Sequence, residues 1–169
     1  IKSVLDAGCG PGYGLEYLKS EMPNIDIYGI EASPDSRNIL ENDVGATILD
    51  SDLDGDWHIN SEGQFDVIIL RHVVEHMLDP VKTLSNLKKT LSPEGFMYVA
   101  VPDMMHPRTI LRDYTDWWEY WFRGVHAYYY CKETLFATLL MAGLELISFE
   151  EENEEVWCIV KGGDSENYN

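Results

Sequence analysis

The chain has 169 residues, of which 45% are hydrophobic, and its formal net charge is −18. This length and composition are typical of one globular domain with a core of its own. The negative charge repels phosphate backbones, which makes nucleic acid a poor candidate substrate. No apolar run approaches the length of about 18 residues that a membrane span requires.

The three cysteines are odd in number and form no CxxC pair. Such usage is unlike a disulfide framework and favours a cytoplasmic location. The first residues already have the pattern of a core strand, so we expect no signal peptide.

Strands and helices alternate along the first 102 residues. Apolar alternation and short apolar runs predict strands at 1–5, 25–32, 46–49, 65–72 and 96–102. Helical spacing and capping residues predict helices at 12–22, 33–42 and 79–91. Strands separated by helices form βαβ units, so we expect a parallel sheet with right-handed crossovers.

The pattern changes after Pro102. Residues 103–130 are rich in tryptophan and tyrosine and show no strand alternation. Residues 132–149 read as a helix, a glycine stop and a strand, and 155–162 read as a last strand with no helix before it. That strand is expected to pair antiparallel, as a hairpin. We predict one domain at 1–162 and a flexible acidic tail at 163–169, and we interpret the acidic run at 150–155 as a solvated face.

Glycines dominate the bend after the first strand, "VLDAGCGPGYG" at 4–14. Glycine allows a bare backbone to approach a ligand closely. The dinucleotide fingerprint GxGxxG is absent, because Tyr13 stands where its third glycine is needed, and no P-loop lysine follows. A nicotinamide oxidoreductase is therefore disfavoured, and the bend is expected to hold a ligand other than a phosphate.

Two acidic positions follow later strands. Glu31 ends the second predicted strand, where a carboxylate can accept both hydroxyls of a ribose. Asp52, in "DSDLDGD" after the third strand, could accept from an exocyclic amine while Leu53 covers an adenine face. The alternatives are a solvated loop carboxylate for Glu31, and competition from Asp50 or Asp54 for the role of Asp52.

Five segments in order resemble the motifs of class I S-adenosylmethionine-dependent methyltransferases: "VLDAGCGPGYG", "IYGIEASPD", "DSDLDG", "FDVIILRHVVEHMLDP" and "LSPEGFMYVAVP". The resemblance covers nearly the whole chain. It implies an α/β, Rossmann-like doubly wound sheet of seven strands, mostly parallel with the last antiparallel, and S-adenosylmethionine as cofactor. It also implies roles for ten residues: Gly8, Cys9, Gly10 and Gly12 along the methionine part, Asp6 at the loop or the amino group, Glu31 and Ala32 at the ribose, Asp52 and Leu53 at the adenine, and Arg71 beside them.

Methyl transfer from a sulfonium needs an aligned nucleophile and, for a hydroxyl, a base. His72, Glu75 and His76 have the spacing i, i+3 and i+4, which places them on one face if they form a helical turn. "HVVEH" and the later "RGVHAYYY" resemble ubiquinone-pathway O-methyltransferases and small-RNA terminal-ribose methyltransferases, which carry Glu-x-x-Glu-His and a later His near a metal. Here His72 replaces the first Glu, which disfavours magnesium, and His126 matches the later His.

Three interpretations of these side chains stay open. His72 or His126 is a catalytic base without a metal; or His72, Glu75, His76 and His126 bind a softer divalent metal, which is the less favoured alternative; or the histidines are structural.

The acceptor is expected to be a small hydroxylated molecule, a sugar or a phenol, and the reaction O-methylation. The tryptophans at 117, 118 and 121 suggest an aromatic lid, although aromatics at helical spacing are more often core. The alternatives are an N- or C-methyltransferase of the same fold, or a non-catalytic module that binds S-adenosylmethionine. The sequence does not indicate an oligomeric state.

Overall fold

The computed structural model describes residues 1–107, 124–152 and 154–163. Its strands are β1 (Ser3–Ala7), β2 (Asp26–Ile30), β3 (Thr47–Asp50), β4 (Phe65–Arg71), β5 (Leu91–Pro102), β6 (Leu144–Glu152) and β7 (Glu155–Gly162). Its α-helices are α1 (Tyr13–Glu21), α2 (Pro34–Ile39), α3 (Pro80–Thr90) and α4 (Lys132–Met141). A π-helical turn, Leu40–Val44, continues α2, and 3₁₀ turns cover Asp56–Asn60 and Val74–His76.

The seven strands form one sheet in the order β3-β2-β1-β4-β5-β7-β6. The first five strands pair in parallel, and β7 runs antiparallel to both of its neighbours. This confirms the predicted doubly wound sheet and its antiparallel last strand. The strand order reverses between β1 and β4, where open α/β sheets bind their ligands beyond the carboxyl ends of the strands.

Two apolar cores lie on opposite faces of the sheet. Alternate residues of β1 separate them, since Val4 belongs to one core and Leu5 and Ala7 to the other. The larger core packs α3 and α4 against the central strands, and the smaller one packs Leu15 of α1 and Leu40 against β1 and β2. Among the described residues, no helix is long and apolar enough to cross a membrane.

The strand β5 begins earlier than its predicted start at residue 96. Leu91 already pairs with Phe65, and a register shift separates that pair from the one between Val67 and Phe96. At Gly95, a Cβ atom would lie 2.7 Å from the Phe65 carbonyl oxygen. The segment "SPEG" therefore bulges along the edge of β4, and the close approach of the two backbones requires glycine.

Gly12→Ala should lower the stability of the fold more than Gly45→Ala, although both glycines have positive φ angles, +87° and +75°. A Cβ at Gly12 would lie 2.4 Å from Cδ2 of the fully buried Leu40, whereas a Cβ at Gly45 meets nothing within 4 Å. The left-handed conformation should cost each alanine about 1–2 kcal/mol. Overpacking should cost Gly12→Ala about another 1–3 kcal/mol. Urea unfolding of both variants measures the difference, and equal losses of stability would contradict the proposed contact.

Candidate active site

The glycine bend joins β1 to α1 and is hydrogen-bonded to the end of β2. Gly8, Gly10 and Gly12 all have positive φ angles, which residues other than glycine rarely adopt. The Gly8 N–H donates to the Ile30 carbonyl at 2.7 Å, and the Gly10 N–H donates to Glu31 Oε2 at 2.9 Å. The ends of β1 and β2 therefore form one continuous surface.

Glu31 points toward the bend and is held by two backbone donors. Besides the bond from Gly10, its Oε1 accepts from the Ser33 N–H at 2.7 Å. Arg37 supports the same corner, because its Nη1 donates to the carbonyl oxygens of Glu31 and Ala32, each at 2.7 Å. Since each carboxylate oxygen can accept more than one hydrogen bond, Glu31 can still accept hydrogen bonds from ligand hydroxyls.

A cavity of about 260 Å³ opens beside Glu31. It brings together five of the predicted cofactor residues: Gly8, Glu31, Ala32, Asp52 and Leu53. Several lining residues were not predicted as cofactor contacts: Ile30, Ser51, Asp54, Val73, His76 and Met77. The last three follow β4, so only the strand order brings them to this cavity.

The three neighbouring aspartates have distinct contacts. Asp50 Oδ1 accepts from the N–H groups of Ser51 and Asp52, at 2.6 and 3.1 Å, and closes the turn after β3. Asp54 accepts from the Thr83 hydroxyl on α3. Asp52 is exposed at the cavity, and its Oδ1 accepts from the Asp54 N–H at 3.0 Å. Asp50 is thus confined to its own turn, whereas Asp52 and Asp54 both line the cavity.

A second cavity, of about 440 Å³, lies on the other side of Gly8. It is lined by the remaining predicted residues of the β1 and β4 ends: Asp6, Cys9, Arg71 and His72. Gly8 borders both cavities. Because Gly8 is common to both cavities, we treat the two spaces together as the candidate cofactor site and call them the cleft.

Asp6 is the acidic group at the centre of this cleft. Burial, and secondarily repulsion by the Glu31 carboxylate, raises the pKa of Asp6 to about 7. Burial also raises the pKa of the Cys9 thiol to about 12. Cys9 therefore stays protonated, and its thiol is a packing group rather than a nucleophile.

The segment after β4 differs from the predicted helical turn. His72 has a positive φ of 57°, and the 3₁₀ turn begins only at Val74. The left-handed residue ends the strand sharply and turns His72 away from the Glu75–His76 pair, so His72 Nε2 lies 2.9 Å from Glu155 Oε1. Glu155 belongs to the acidic run that we had interpreted as solvated.

Glu75, His76 and His126 form a compact group, with one ligand atom of each within 4.8 Å of the others. The rings of His76 and His126 meet edge to face at 4.7 Å between centroids. Glu75 is only 2% exposed, and neither of its carboxylate oxygens has a hydrogen-bond partner among the described residues. Burial raises the pKa of Glu75 to about 7.

The residues predicted for an aromatic lid, Trp117, Trp118 and Trp121, lie outside the described part of the chain, as does most of the predicted tail. The described segment that begins at residue 124 is hydrogen-bonded to the turn after β4. The N–H groups of Ala127 and Tyr128 both donate to the Glu75 carbonyl, at 2.8 and 3.1 Å. This segment carries His126 to the cluster.

The family model for the methyltransferase domain matches residues 2–148. The chain therefore belongs to the methyltransferase-domain family, and the predicted class, with S-adenosylmethionine as its methyl donor, is confirmed at the level of the family.

Two curated relatives are similar to the chain at modest identity. The trans-aconitate 2-methyltransferase of Escherichia coli is 28% identical over 141 residues, which cover 76% of this chain and 54% of that protein. The ubiquinone biosynthesis O-methyltransferase of Bartonella tribocorum is 31% identical over 57% of this chain and 40% of its own length. The chain thus spans about half the length of the curated relatives it matches.

Among solved structures, a SAM-dependent methyltransferase from Archaeoglobus fulgidus superposes with a TM-score of 0.72 at 17% identity. The match covers 95% of this chain and 86% of that one. At this identity the likeness shows the fold.

Asp6→Asn should change how stability depends on pH. Folded Asp6 keeps its proton up to about pH 7, whereas an unfolded Asp loses it at about pH 4. Unfolding in this window releases a proton, so the free energy of unfolding falls as the pH rises through it. Asn cannot titrate, so the variant should gain stability relative to wild type as the pH rises from about 4 to about 7.

Thermal unfolding across this pH range measures the effect. Asp43→Asn, at an exposed carboxylate, is the matched control. Parallel pH profiles for wild type and Asp6→Asn would contradict the raised pKa of Asp6.

Proposed function

We propose that this chain is the catalytic domain of an S-adenosylmethionine-dependent O-methyltransferase acting on a small hydroxylated acceptor, a sugar or a phenol. The observation that carries the proposal is the Glu31 carboxylate, which is fixed by Gly10 and Ser33 at the mouth of the cleft. A carboxylate held at the end of β2 is suited to accept ribose hydroxyls. The three free cysteines support the predicted cytoplasmic location.

Different residues of the cleft would contact different parts of the cofactor. Asp52 and Leu53 would meet the adenine, Glu31 the ribose, and Gly8, Gly10 and Gly12 the methionine part. Asp6 would face the amino group, where a carboxylate accepts hydrogen bonds from an ammonium. When bound, S-adenosylmethionine supplies a methyl group on a positively charged sulfur, whose bond electrons stay with the sulfur on transfer.

His72 is the group that we assign as base. It lines the cavity that also contains Asp6 and Gly8, next to the methionine side of the cleft. Burial lowers the pKa of His72, although the nearby Glu155 carboxylate opposes the shift. A neutral imidazole can take the proton that an acceptor hydroxyl loses. A hydroxyl acceptor is favoured because it needs such a base, and the negative chain disfavours nucleic acid.

A second proposal concerns a divalent metal at Glu75, His76 and His126. A buried carboxylate without a described hydrogen-bond partner is costly, and a cation would offset that cost. His76 Nδ1 lies 3.1 Å from the Val125 carbonyl oxygen, so the neutral ring donates from Nδ1 and carries its lone pair on Nε2. A carbonyl that orients a histidine in this way is typical of metal ligands. Imidazole and carboxylate suit zinc, manganese or iron.

Replacing Glu31 by Gln should weaken binding of both the methyl donor and its demethylated product. Losing a charge-assisted hydrogen bond costs about 1.5–3 kcal/mol, or roughly 10–100-fold in affinity. Both molecules have the same ribose, so a ribose contact predicts equal losses, whereas an effect on the sulfonium charge predicts a larger loss for the donor.

Isothermal titration calorimetry with both molecules measures this, and Glu16→Gln on the exposed surface of α1 is the control. No affinity of the wild-type chain for either molecule would overturn the proposed function.

The acceptor and the metal can be tested together. The purified chain, analysed for bound metal, is assayed with labelled methyl donor against hydroxylated, amine and carbon-acid acceptors, with and without a chelator. We expect label on hydroxyl acceptors. If the metal proposal holds, about one metal ion per chain is present, and chelation lowers activity at least about tenfold, because the metal's stabilisation of charge in the transition state is lost.

Full activity in chelator with no bound metal would exclude the metal but leave His72 as base. Methylation of amines alone would favour the N-methyltransferase alternative. Binding of the donor without any turnover would favour a non-catalytic module.

A further inference from the structure

Glu155 reaches the active site because of the direction of its strand. The parallel strands end at the edge that holds the cleft, but β7 is antiparallel and therefore begins there. Glu155, its first residue, pairs with Pro102 at the end of β5. A sheet with this topology brings the first residue of its last strand beside the last residues of β4 and β5.

The Glu155 carboxylate contacts the end of β4 directly. Its Oε1 lies 2.9 Å from His72 Nε2 and accepts from Arg71 Nη2 at 2.8 Å. The Glu155 side chain is only 12% exposed, compared with 28% for His72 and 61% for Arg71. One sheltered carboxylate oxygen thus joins the two residues that line the methionine side of the cleft.

The backbone is strained on both sides of this contact. His72 and Glu154 are the two residues other than glycine with positive φ in the described chain, at 57° and 69°. Both are fixed by main-chain bonds, since the His72 N–H donates to Ala100 at 2.9 Å and the Glu154 carbonyl accepts from Asp103 at 2.9 Å. Strained residues of this kind persist where the surrounding structure holds them, often at functional sites.

We propose that Glu155 is a positioning residue for His72, which fixes the imidazole as its Nε2–H tautomer and orients Nδ1 as the proton acceptor. This inference rests on the proposed function, in which His72 is the base. The Glu155 carboxylate can only accept, and its negative charge lies 2.9 Å from Nε2, so a proton on Nε2 and a lone pair on Nδ1 are favoured; the contact is a short electrostatic one that does not meet hydrogen-bond geometry in this structure. Arg71 holds the same oxygen and keeps the carboxylate in place.

On the protein side, the proposed methyl transfer needs only His72 as base and Glu155 as its partner. As the acceptor oxygen uses an electron pair to form its bond to the methyl carbon, its O–H proton moves to His72 Nδ1. The imidazolium that results is stabilised by the negative charge of Glu155, and it later releases the proton to solvent. The other charged or titratable groups around the ring are Arg71, His76 and, in the same cavity, Asp6.

The tautomer of His72 can be read directly in the intact chain. Long-range proton–nitrogen correlation spectra distinguish an Nε2–H ring from an Nδ1–H ring, and the signals of His72 are those that disappear in His72→Gln. We expect the Nε2–H form to dominate in the wild type at a pH where the ring is neutral. A dominant Nδ1–H form would overturn the proposal without any further variant.

The variant Glu155→Gln tests whether Glu155 determines the tautomer of His72. Its amide side chain has no charge and can also donate, so we expect the ratio of Nε2–H to Nδ1–H to fall by roughly tenfold or more. Glu152→Gln, which removes the same charge from the exposed residue opposite Glu155 in the hairpin, should leave the ratio unchanged. An unchanged ratio in Glu155→Gln, or an equal change in both variants, would overturn the positioning role.

Calorimetry with S-adenosylmethionine on the same samples separates the two proposals. A chain that does not bind the methyl donor refutes the proposed function, whatever the tautomer. If the chain binds the donor but His72 is mainly in the Nδ1–H form, only the positioning role is refuted. The same holds if the ratio of tautomers does not change in Glu155→Gln.

Discussion

The active site depends on three alternate glycines that turn left-handed directly after β1. Gly8, Gly10 and Gly12 allow a bend so tight that the Gly8 N–H meets the carbonyl at the end of β2. A side chain at Gly8 or Gly12 would collide with Val73 or Leu40, so the bend is packed from both sides of the sheet. Gly10 has open space where a side chain would be. The same backbone thus closes the core at Gly8 and Gly12 and leaves open space beside Gly10.

A second consequence of this bend is a high density of acidic groups. Asp6, Glu31, Glu75 and Glu155 all lie around the carboxyl ends of the strands, and their burial and mutual repulsion raise the pKa of Asp6 and Glu75 to about 7. Such a site is unfavourable in the empty protein, because it desolvates carboxylates without enough partners. A ligand with a positive sulfur and an ammonium group relieves this repulsion.

That the residues proposed for the cofactor lie near one another could be predicted from the sequence, because their signals are local. The glycine spacing, the position of Glu31 and the turn at Asp52 each follow a strand directly, and the strand order brings them together in the expected way. The contribution of Val73, His76 and Met77 to the same cavity could not be read from a motif, since it depends on β4 lying next to β1.

The acceptor half was harder to predict because its contacts are distant in sequence. His72, Glu75 and His76 have helical spacing, but one left-handed residue at His72 separates the first from the other two. Glu155 looked like one of many solvated acids in the run at 150–155. The prediction that the last strand is antiparallel already implied that this strand begins at the edge with the cleft. Applying that topological consequence to the acidic run would have identified Glu155.

The turn after β4 couples the two halves of the site. Val73, His76 and Met77 border the cofactor cavity, while the carbonyl of the intervening Glu75 accepts from the N–H groups of Ala127 and Tyr128. A change of this turn on cofactor binding would therefore be transmitted to the segment that carries His126. Side chains strengthen the same connection, since His76 Nδ1 lies 3.1 Å from the Val125 carbonyl oxygen and the Tyr128 hydroxyl donates to the Leu78 carbonyl at 3.2 Å. The turn and the segment 125–128 are therefore held together by both backbone and side-chain contacts, and a shift of one would displace the other.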